Sequence, residues 1–221
     1  MNKSKIKKVG QDVIKLESMA LSKLSKSLDK NFVEAVELIS QLNGKIIISG
    51  VGKSGNIAGK IAASFTSTGI PAIYLNPVDA SHGDMGIIDK NDLLIILSNS
   101  GESHELTDLI NFSMKKKLKI ISITSSNKSL LSKNSDINLI IPYHLEADKL
   151  QTIPTTSTTM CLALGDALCC SVLSLRKFDK KSFRELHPGG KIGKKLKTLN
   201  EIMDTDIPVS YTHLTLPTST H

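Results

Sequence analysis

The sequence predicts an α/β protein built on a five-stranded parallel sheet, with a pair of helices ahead of it. Five short apolar runs alternate with segments of helical periodicity. The runs are apolar throughout, which is typical of strands that helices cover on both faces of a parallel sheet. Polar turns rich in glycine and serine follow the first and third runs. The predicted strands cover residues 45–49, 72–75, 93–97, 119–123 and 137–141.

Helices are predicted before, between and after these strands. Residues 5–42 favour two helices that pack on the core as an N-terminal helical hairpin, with Asp29 as a cap for the second. The segment 155–175 is apolar nearly all round, which indicates a buried central or intersubunit helix. Further helices are predicted over 54–68, 103–117, 129–134 and 178–186.

Three segments make up the predicted domain organisation. Residues 1–42 form the helices packed on the core, residues 43–200 form the α/β domain, and residues 201–221 form a linker remnant and a tail. From Ser210 onward, the tail is rich in threonine and has no charged residue other than histidine. This tail is interpreted as non-native sequence that lies outside the predicted fold.

The composition argues against several classes of function. The net charge is +7, but only Arg176 and Arg184 are arginines, and aromatic residues make up 4%. Because nucleic-acid readers favour arginine forks and aromatics, no nucleic-acid partner is expected. No apolar run approaches the roughly 18 residues of a membrane span, and no secretory signal is recognised. A cytoplasmic location without a membrane partner is therefore expected.

The cysteines and two of the histidines are better explained by structural roles than by chemistry. Cys161, Cys169 and Cys170 share one apolar stretch without metal-ligand spacing, so they are predicted to be small core residues. His104 and His144 are candidates of lower rank for the site, and the favoured interpretation is that they are surface histidines.

A glycine-rich turn follows the first predicted strand. Residues 50–55 read Gly-Val-Gly-Lys-Ser-Gly and open a helix, which would aim backbone amides at an anion. The spacing resembles a dinucleotide turn, but Asn76 and Pro77 stand where an acidic residue would hold a ribose. The spacing of a nucleotide P-loop is missing too. Since a lysine is electrostatically unfavourable at a helix N-terminus, Lys53 is interpreted as a partner for an anionic substrate.

A serine-rich turn follows the third predicted strand. Residues 98–103 read Ser-Asn-Ser-Gly-Glu-Ser, and such hydroxyls and amides suit phosphate oxygens. A helix N-cap would explain Ser103 alone, but not three serines. Both turns follow strands at their carboxyl ends, where open α/β sheets bind ligands. The sequence therefore predicts a phosphate site at this edge.

Ionisable residues are predicted to reach the same edge. His82 follows the second strand, Glu105 opens the helix after the serine turn, and Glu146 follows the fifth strand. His187 precedes a rigid Pro-Gly-Gly turn. Together with Lys53, they would supply the base, acid and cation that proton abstraction beside a carbonyl requires. The residues alone leave open which glutamate is the base.

Five motifs together carry a resemblance to a known family. They are residues 50–55, Ala-Ser-His-Gly-Asp-Met-Gly at 80–86, the serine turn, Pro-Thr-Thr-Ser-Thr-Thr at 154–159 and His-Pro-Gly-Gly at 187–190. From about residue 10 to Met203, the chain closely resembles the arabinose 5-phosphate isomerases of the sugar isomerase (SIS) domain superfamily. The serine turn alone indicates only a SIS domain, whereas the other glycine- and histidine-containing motifs are specific to this branch.

The resemblance implies a flavodoxin-like sandwich, a homotetramer, and an isomerase that needs no cofactor or metal. The implied reaction interconverts D-ribulose 5-phosphate and D-arabinose 5-phosphate for synthesis of Kdo, a sugar of lipopolysaccharide or capsule. A glutamate would carry the proton between C1 and C2, with His187 assisting and Lys53 stabilising the enediolate. His82 is expected to reach the site across a subunit interface. The implied catalytic residues are Lys53, Glu105, Glu146 and His187. The implied substrate contacts are Ser54, His82, Ser98, Asn99, Ser100, Ser103, Thr155 and Thr156.

The sequence also departs from the family pattern. Relatives commonly continue into two cystathionine-β-synthase (CBS) domains after the segment matching 201–203, so a catalytic domain without that pair is expected. Asn76 replaces a histidine that some relatives use for a metal contact. Residues 148–151 read Asp-Lys-Leu-Gln instead of Cys-Pro-Leu-Gly or -Asn, a change expected to alter substrate preference or interface packing.

Two alternative functions stay open. One is a different SIS isomerase acting on a hexulose phosphate, which the His-Pro-Gly-Gly motif argues against. The other is a non-catalytic module that binds a phosphosugar for regulation. A sensor would need the serine turn but not Glu105, Glu146 and His187 together, so the sequence favours the enzyme.

Overall fold

The computed structural model describes residues 3–176 and 179–187. The chain divides into two compact units, residues 1–178 and 179–221. In the first unit, all strand pairs are parallel and the sheet order is β2-β1-β3-β4-β5. This is the flavodoxin-like order, so the predicted fold class is confirmed. The strands are β1 (Ile46–Gly50), β2 (Ala72–Leu75), β3 (Leu93–Leu97), β4 (Lys119–Thr124) and β5 (Ile137–Ile140).

Helices cover both faces of the sheet. The helices of the first unit are α1 (Lys3–Ser27), α2 (Lys30–Ser40), α3 (Gly52–Ser67), α4 (Pro77–Ser81), α5 (Thr107–Lys116), α6 (Leu130–Lys133) and α7 (Thr156–Arg176). Two 3-10 helices cover Asp84–Ile87 and His104–Leu106, and the second unit contains α8 (Lys180–Leu186). The predicted cap of α2 is confirmed, because Asp29 accepts a hydrogen bond from the amide of Asn31 at 2.9 Å. Both α1 and α2 pack against α7.

Successive strand residues point into two separate cores, as expected of a strand buried on both faces. Ile46 and Ile48 of β1 pack with residues of α1, α2, α3 and α7, while Ile47 packs with α4, α5 and α6. Although no apolar run of membrane-spanning length was expected from the sequence, α7 is, within the described residues, the one helix long and apolar enough to cross a membrane, by length and composition only. Nine of its residues are buried in the protein, which agrees with the predicted central helix.

Two local details differ from the sequence prediction. The helix after the serine turn starts as the 3-10 helix His104–Leu106 and becomes α-helical only at Thr107, not at residue 103. The short helix α4 was not predicted, although Asn76 caps it and Pro77 occupies its first turn. A single turn is too short to produce a helical period, so only these cap residues signal it.

Candidate active site

A cavity of about 290 Å³ lies at the carboxyl ends of the strands. Its walls come from the turns after β1 and β3 and from the segment that joins β5 to α7. It is lined by Val51, Lys53, Ser54, Asn99, Glu146, Gln151, Thr152, Pro154, Ser157, Thr158 and Cys161. Four residues predicted for the site are therefore together: Lys53, Ser54, Asn99 and Glu146.

The turn after β1 is open toward an anion. Gly52 has φ +58°, a left-handed conformation that glycine adopts without strain. Val51 occupies the N-cap of α3, and no side chain there accepts a hydrogen bond from the first amides of the helix. Lys53 is exposed and forms no ion pair with any residue in the described part of the chain. A cation and uncapped helix amides thus face the same cavity.

The serine turn is held rigidly beside this cavity. The Ser98 hydroxyl is buried, lies 3.0 Å from the Ser103 hydroxyl, and accepts from the amide of Gly101 at 3.1 Å. Gly101 has φ +73°, and a Cβ there would collide with the Ser129 side chain. Ser100 accepts from the Glu102 amide at 3.2 Å. These hydroxyls therefore shape the turn.

Asn99 is the member of the serine turn that lines the cavity. Its carbonyl accepts from the amide and hydroxyl of Ser125 at 2.9 and 2.7 Å, which ties the turn to the end of β4. Its side-chain amide makes no hydrogen bond within residues 3–176 and 179–187. It is therefore available to a ligand.

Glu146 is fixed by the start of α7. Its Oε2 accepts from the Thr155 amide at 2.8 Å, the Thr155 hydroxyl at 3.0 Å and the Ser157 amide at 3.3 Å. Partial burial acts to raise the pKa of Glu146, but the hydrogen bonds from Ser157 and Thr155 outweigh it and bring the pKa below its ordinary value. Glu146 is therefore an ionised carboxylate at neutral pH, in the form that can accept a proton.

His144 differs from its predicted surface position. Its side chain is only 8% exposed, and its Nε2 lies 3.8 Å from Oε1 of Glu146. Its Nδ1 lies 3.0 Å from the carbonyl of Pro142. Because a carbonyl only accepts, Nδ1 carries a hydrogen and Nε2 faces the glutamate.

The cysteine predictions hold for two residues of three. Cys161 and Cys169 are buried, whereas Cys170 is exposed because it lies on the outer side of α7. Burial, and then the charge of Glu146, raise the pKa of the Cys161 thiol to about 12. Cys161 is therefore a neutral part of the cavity wall, not a nucleophile.

The threonine motif turns different residues toward the cavity from those predicted. Thr155 bonds Glu146, and its hydroxyl also accepts from the Ala147 amide at 2.8 Å. Thr156 is 1% exposed, and its hydroxyl has no hydrogen-bond partner among the residues that the structure describes. Ser157 and Thr158 line the cavity instead. The signal that could have found them is their spacing from Cys161, because residues three and four positions before Cys161 share its face of α7.

His82 and Glu105 lie together outside this cavity. His82 is the C-cap residue that follows α4, and Glu105 lies on the 3-10 helix His104–Leu106. These two helices pack against each other. Both side chains are exposed. The chain therefore shows two groups of predicted residues at the carboxyl edge, one containing Lys53 and Glu146 and the other His82 and Glu105.

His187 lies in the second unit. Its ring stacks on Phe183 with centroids 3.9 Å apart, and Nδ1 lies 2.8 Å from the Phe183 carbonyl. The Pro-Gly-Gly that follows it at 188–190, and the tail from Ser210, lie outside the described residues.

Other cavities carry less of the predicted chemistry. A cleft of about 410 Å³ lies at the amino ends of β4 and β5, lined by aliphatic side chains, three lysines and Asp136, and contains no predicted site residue. A mainly apolar cavity of about 240 Å³ lies between α1 and the segment after β5. Within the ranges that the structure describes, no three His, Cys, Asp or Glu side chains are grouped as metal ligands.

Known proteins resemble the chain in sequence and in structure. Residues 38–171 match the SIS domain family. Arabinose 5-phosphate isomerase KdsD of Francisella tularensis is 45% identical over 188 residues, which cover 84% of this chain and 58% of that protein. Uncharacterized protein RP505 of Rickettsia prowazekii is 41% identical over 213 residues, covering 96% of this chain and 66% of that protein. The chain thus spans about three fifths of the length of these curated relatives.

A solved structure is similar over most of the fold. The E. coli CFT073 protein c3406, in complex with arabinose 5-phosphate, superposes with a TM-score of 0.82 at 34% identity and covers 85% of this chain and 100% of that one. The chain therefore belongs to the SIS domain family, and the family resemblance predicted from the motifs is confirmed.

Proposed function

We propose that this chain is the catalytic domain of an arabinose 5-phosphate isomerase. It would interconvert D-arabinose 5-phosphate and D-ribulose 5-phosphate without a cofactor, through an enediol. The observation that carries the proposal is one small cavity bordered by a cation, an ionised carboxylate and a turn with uncapped amides. KdsD relatives and the arabinose 5-phosphate complex of a similar protein support the substrate.

The phosphate end of the substrate would lie against the turns after β1 and β3. The amides that open α3, the Ser54 hydroxyl and the Asn99 side chain are the donors that border the cavity there. Helix-terminal amides favour a phosphate through both hydrogen bonds and the helix dipole. Ser98, Ser100 and Ser103 would support this end by holding the serine turn in shape.

The reacting end would lie between Lys53 and a glutamate. A carboxylate would take the proton from C2 of the aldose, the released electron pair would form the C1–C2 double bond, and the proton would return to C1. One further proton would move between O2 and O1, with His187 as the proposed assistant. Lys53 would stabilise the enediolate oxygen. Glu146 and Glu105 both stay candidates for the base.

A homotetramer would reconcile the two separate groups of residues. In this arrangement, His82 and Glu105 of one protomer would complete the cavity that Lys53 and Glu146 border in another. Their exposure on neighbouring elements supports this arrangement.

The enzyme would act in the cytoplasm, in Kdo synthesis for lipopolysaccharide or capsule. No nucleic-acid or membrane partner is proposed.

The test is an isomerase assay with arabinose 5-phosphate, compared with hexulose and glucitol phosphates. Wild type should convert arabinose 5-phosphate selectively. Replacing the catalytic base should lower kcat by about 10²–10⁴-fold, so at least one of Glu105→Gln and Glu146→Gln should show such a loss. Wild-type turnover in both variants would contradict the mechanism. A folded tetramer with no turnover on any of these substrates would favour the regulatory module.

A mixing experiment tests the shared site. If the two glutamates meet across protomers, Glu105→Gln and Glu146→Gln subunits should form mixed oligomers that recover activity, because some sites then hold both wild-type glutamates. No recovery in verified mixed oligomers would place both groups in sites made within one protomer.

A further inference from the structure

Gln151 has an unusual backbone conformation beside the candidate site. Its φ is +55°, a left-handed value that glycine and asparagine adopt more readily than glutamine. Within residues 3–176 and 179–187, the only other non-glycine residue with positive φ is Lys117, at +56°. Gln151 also lines the site cavity. A residue kept in a disfavoured conformation at a cavity wall calls for a compensating interaction.

The side chain of Gln151 supplies that interaction by bonding the main chain of Glu146 in both directions. Its Oε1 accepts from the Glu146 amide at 2.8 Å, and its Nε2 donates to the Glu146 carbonyl at 2.7 Å. Nε2 also donates to the carbonyl of Asp148 at 3.0 Å. The primary amide thus pairs with both polar backbone groups of one residue, as a neighbouring strand would.

Asp148 builds the turn that brings Gln151 into place. Its carboxylate accepts from the amides of Leu150, Thr152 and Ile153 at 2.9 Å each. These bonds bend the chain around position 151. The carboxylate of Glu146 is bonded separately by Thr155 and Ser157, so its main chain and its side chain are held by different groups.

We propose that Gln151 is a positioning residue for Glu146. By fixing the Glu146 backbone, it would hold the carboxylate in one orientation at the cavity wall before substrate enters. Such preorganisation matters because small displacements of a reacting group cost large factors in rate. This inference rests on the proposed function, in which Glu146 acts on the substrate. It assigns a role to the segment where residues 148–151 depart from the family pattern.

The first test compares Gln151→Gly with Lys117→Gly. Both changes relieve the same left-handed strain, but only the first removes the bonds to Glu146. Gln151→Gly should lower kcat about tenfold while KM changes less than about twofold, since an orientation effect acts on the transition state. Lys117→Gly, at the opposite end of the sheet, should leave both constants at wild-type values. Wild-type kcat in Gln151→Gly would overturn the proposal.

Two further variants separate positioning from substrate contact. Gln151→Asn keeps an amide and tolerates positive φ, but is one methylene shorter, so partial recovery of kcat relative to glycine is expected. Gln151→Glu keeps the length but loses the Nε2 donor, so it should behave like glycine. If KM rose in these variants while kcat stayed constant, Gln151 would instead be a substrate contact.

Hydrogen exchange tests the same inference without relying on activity. The Glu146 amide donates to Gln151 in the wild-type protein, so Gln151→Gly should speed exchange at Glu146, while Lys117→Gly should not. Unchanged exchange at the Glu146 amide would overturn the proposed positioning role of Gln151, even if the enzyme is active. An inactive wild type with faster Glu146 exchange in Gln151→Gly would instead count against the proposed function alone.

Discussion

Lys45 and Lys119 at the amino end of the sheet form ion pairs, whereas Lys53 at its carboxyl end forms none among the described residues. At the amino end, Asp92 accepts from Lys45 Nζ at 2.6 Å, and Asp136 accepts from Lys119 Nζ at the same distance. Asp92 also accepts from the amides of Lys45 and Asp89 at 2.9 and 2.8 Å. At the carboxyl end, Lys53 has no ion-pair partner among the described residues.

The difference separates charges that stabilise the fold from charges kept for a ligand. The side chain of Asp92 is 2% exposed, so its bonds replace water that burial removed. Lys53 stands at a helix N-terminus where a cation is disfavoured, and no carboxylate in the described part of the chain offsets that cost. In the proposed function, an anionic substrate would offset that cost.

The largest expected effect in this comparison is the loss of activity when Lys53 is replaced. Lys53→Met should lower kcat/KM of the proposed isomerase by about 10²–10³-fold, the usual effect of losing one donor to a developing oxyanion. The free energy of unfolding should stay constant or rise by about 0.3–1 kcal/mol, since a cation leaves the helix N-terminus. Steady-state assays and chemical denaturation measure both quantities.

Lys45→Met is the matched control at the amino end. Turnover per folded molecule should be unchanged, while the free energy of unfolding falls by about 1–3 kcal/mol, because Asp92 loses its charged partner. Equal losses of activity in the two variants would break the comparison between the ends.

An effect on stability of similar size is expected from Asp92→Asn, and it should depend on pH. Burial acts to raise the pKa of Asp92, but the ammonium and amide of Lys45 and the amide of Asp89 hold it below its ordinary value. The free energy of unfolding of the wild type should therefore exceed that of the variant by about 2 kcal/mol at neutral pH. A group with a lowered folded-state pKa stabilises the fold at pH values above its unfolded pKa of about 3.9. It loses that contribution as the pH falls through its folded-state pKa.

Denaturation curves from pH 7 down to pH 3 test the direction of this pH dependence. The gap between wild type and Asp92→Asn should be constant above about pH 5 and narrow below it. Glu146 also has a lowered pKa, but it is present in both proteins and cancels in the difference. A gap that widens toward acid would mean that the Asp92 charge destabilises the fold.

The sequence predicted the sheet and one half of the candidate site for a common physical reason. Apolar runs define the strands, and parallel strands bring their carboxyl ends to one edge, so Lys53, Asn99 and Glu146 had to lie near one another. Gln151 was not predicted as a site residue, because the segment between β5 and α7 has no periodicity. Its shape depends on hydrogen bonds of Asp148, which no spacing rule encodes.

The remaining differences concern helix phase and assembly. Thr155 and Thr156 were predicted from a run of hydroxyl residues. Thr155 precedes α7 and bonds Glu146, and within α7 a shift of one residue from Thr156 turns the side chain by about 100° around the helix. This rotation is why Ser157 and Thr158 reach the cavity instead. His82 and Glu105 need a neighbouring protomer in the proposed tetramer, and a single chain does not supply one.

The smallest expected effect concerns a polar group that is unpaired but buried. The Thr156 hydroxyl has no partner within the described residues and does not line the site cavity, in contrast to Lys53. Thr156→Val keeps the shape and removes the unsatisfied hydroxyl, so the free energy of unfolding should rise by up to about 1 kcal/mol.

The KM for arabinose 5-phosphate in the same variant tests the substrate contact that the motif predicted. A stability loss, or a raised KM, would show that the hydroxyl finds a partner in the assembled enzyme. A gain in stability at constant KM would sharpen the comparison between Thr156 and Lys53. A polar group without a partner would then indicate a ligand site only where it also faces the site cavity.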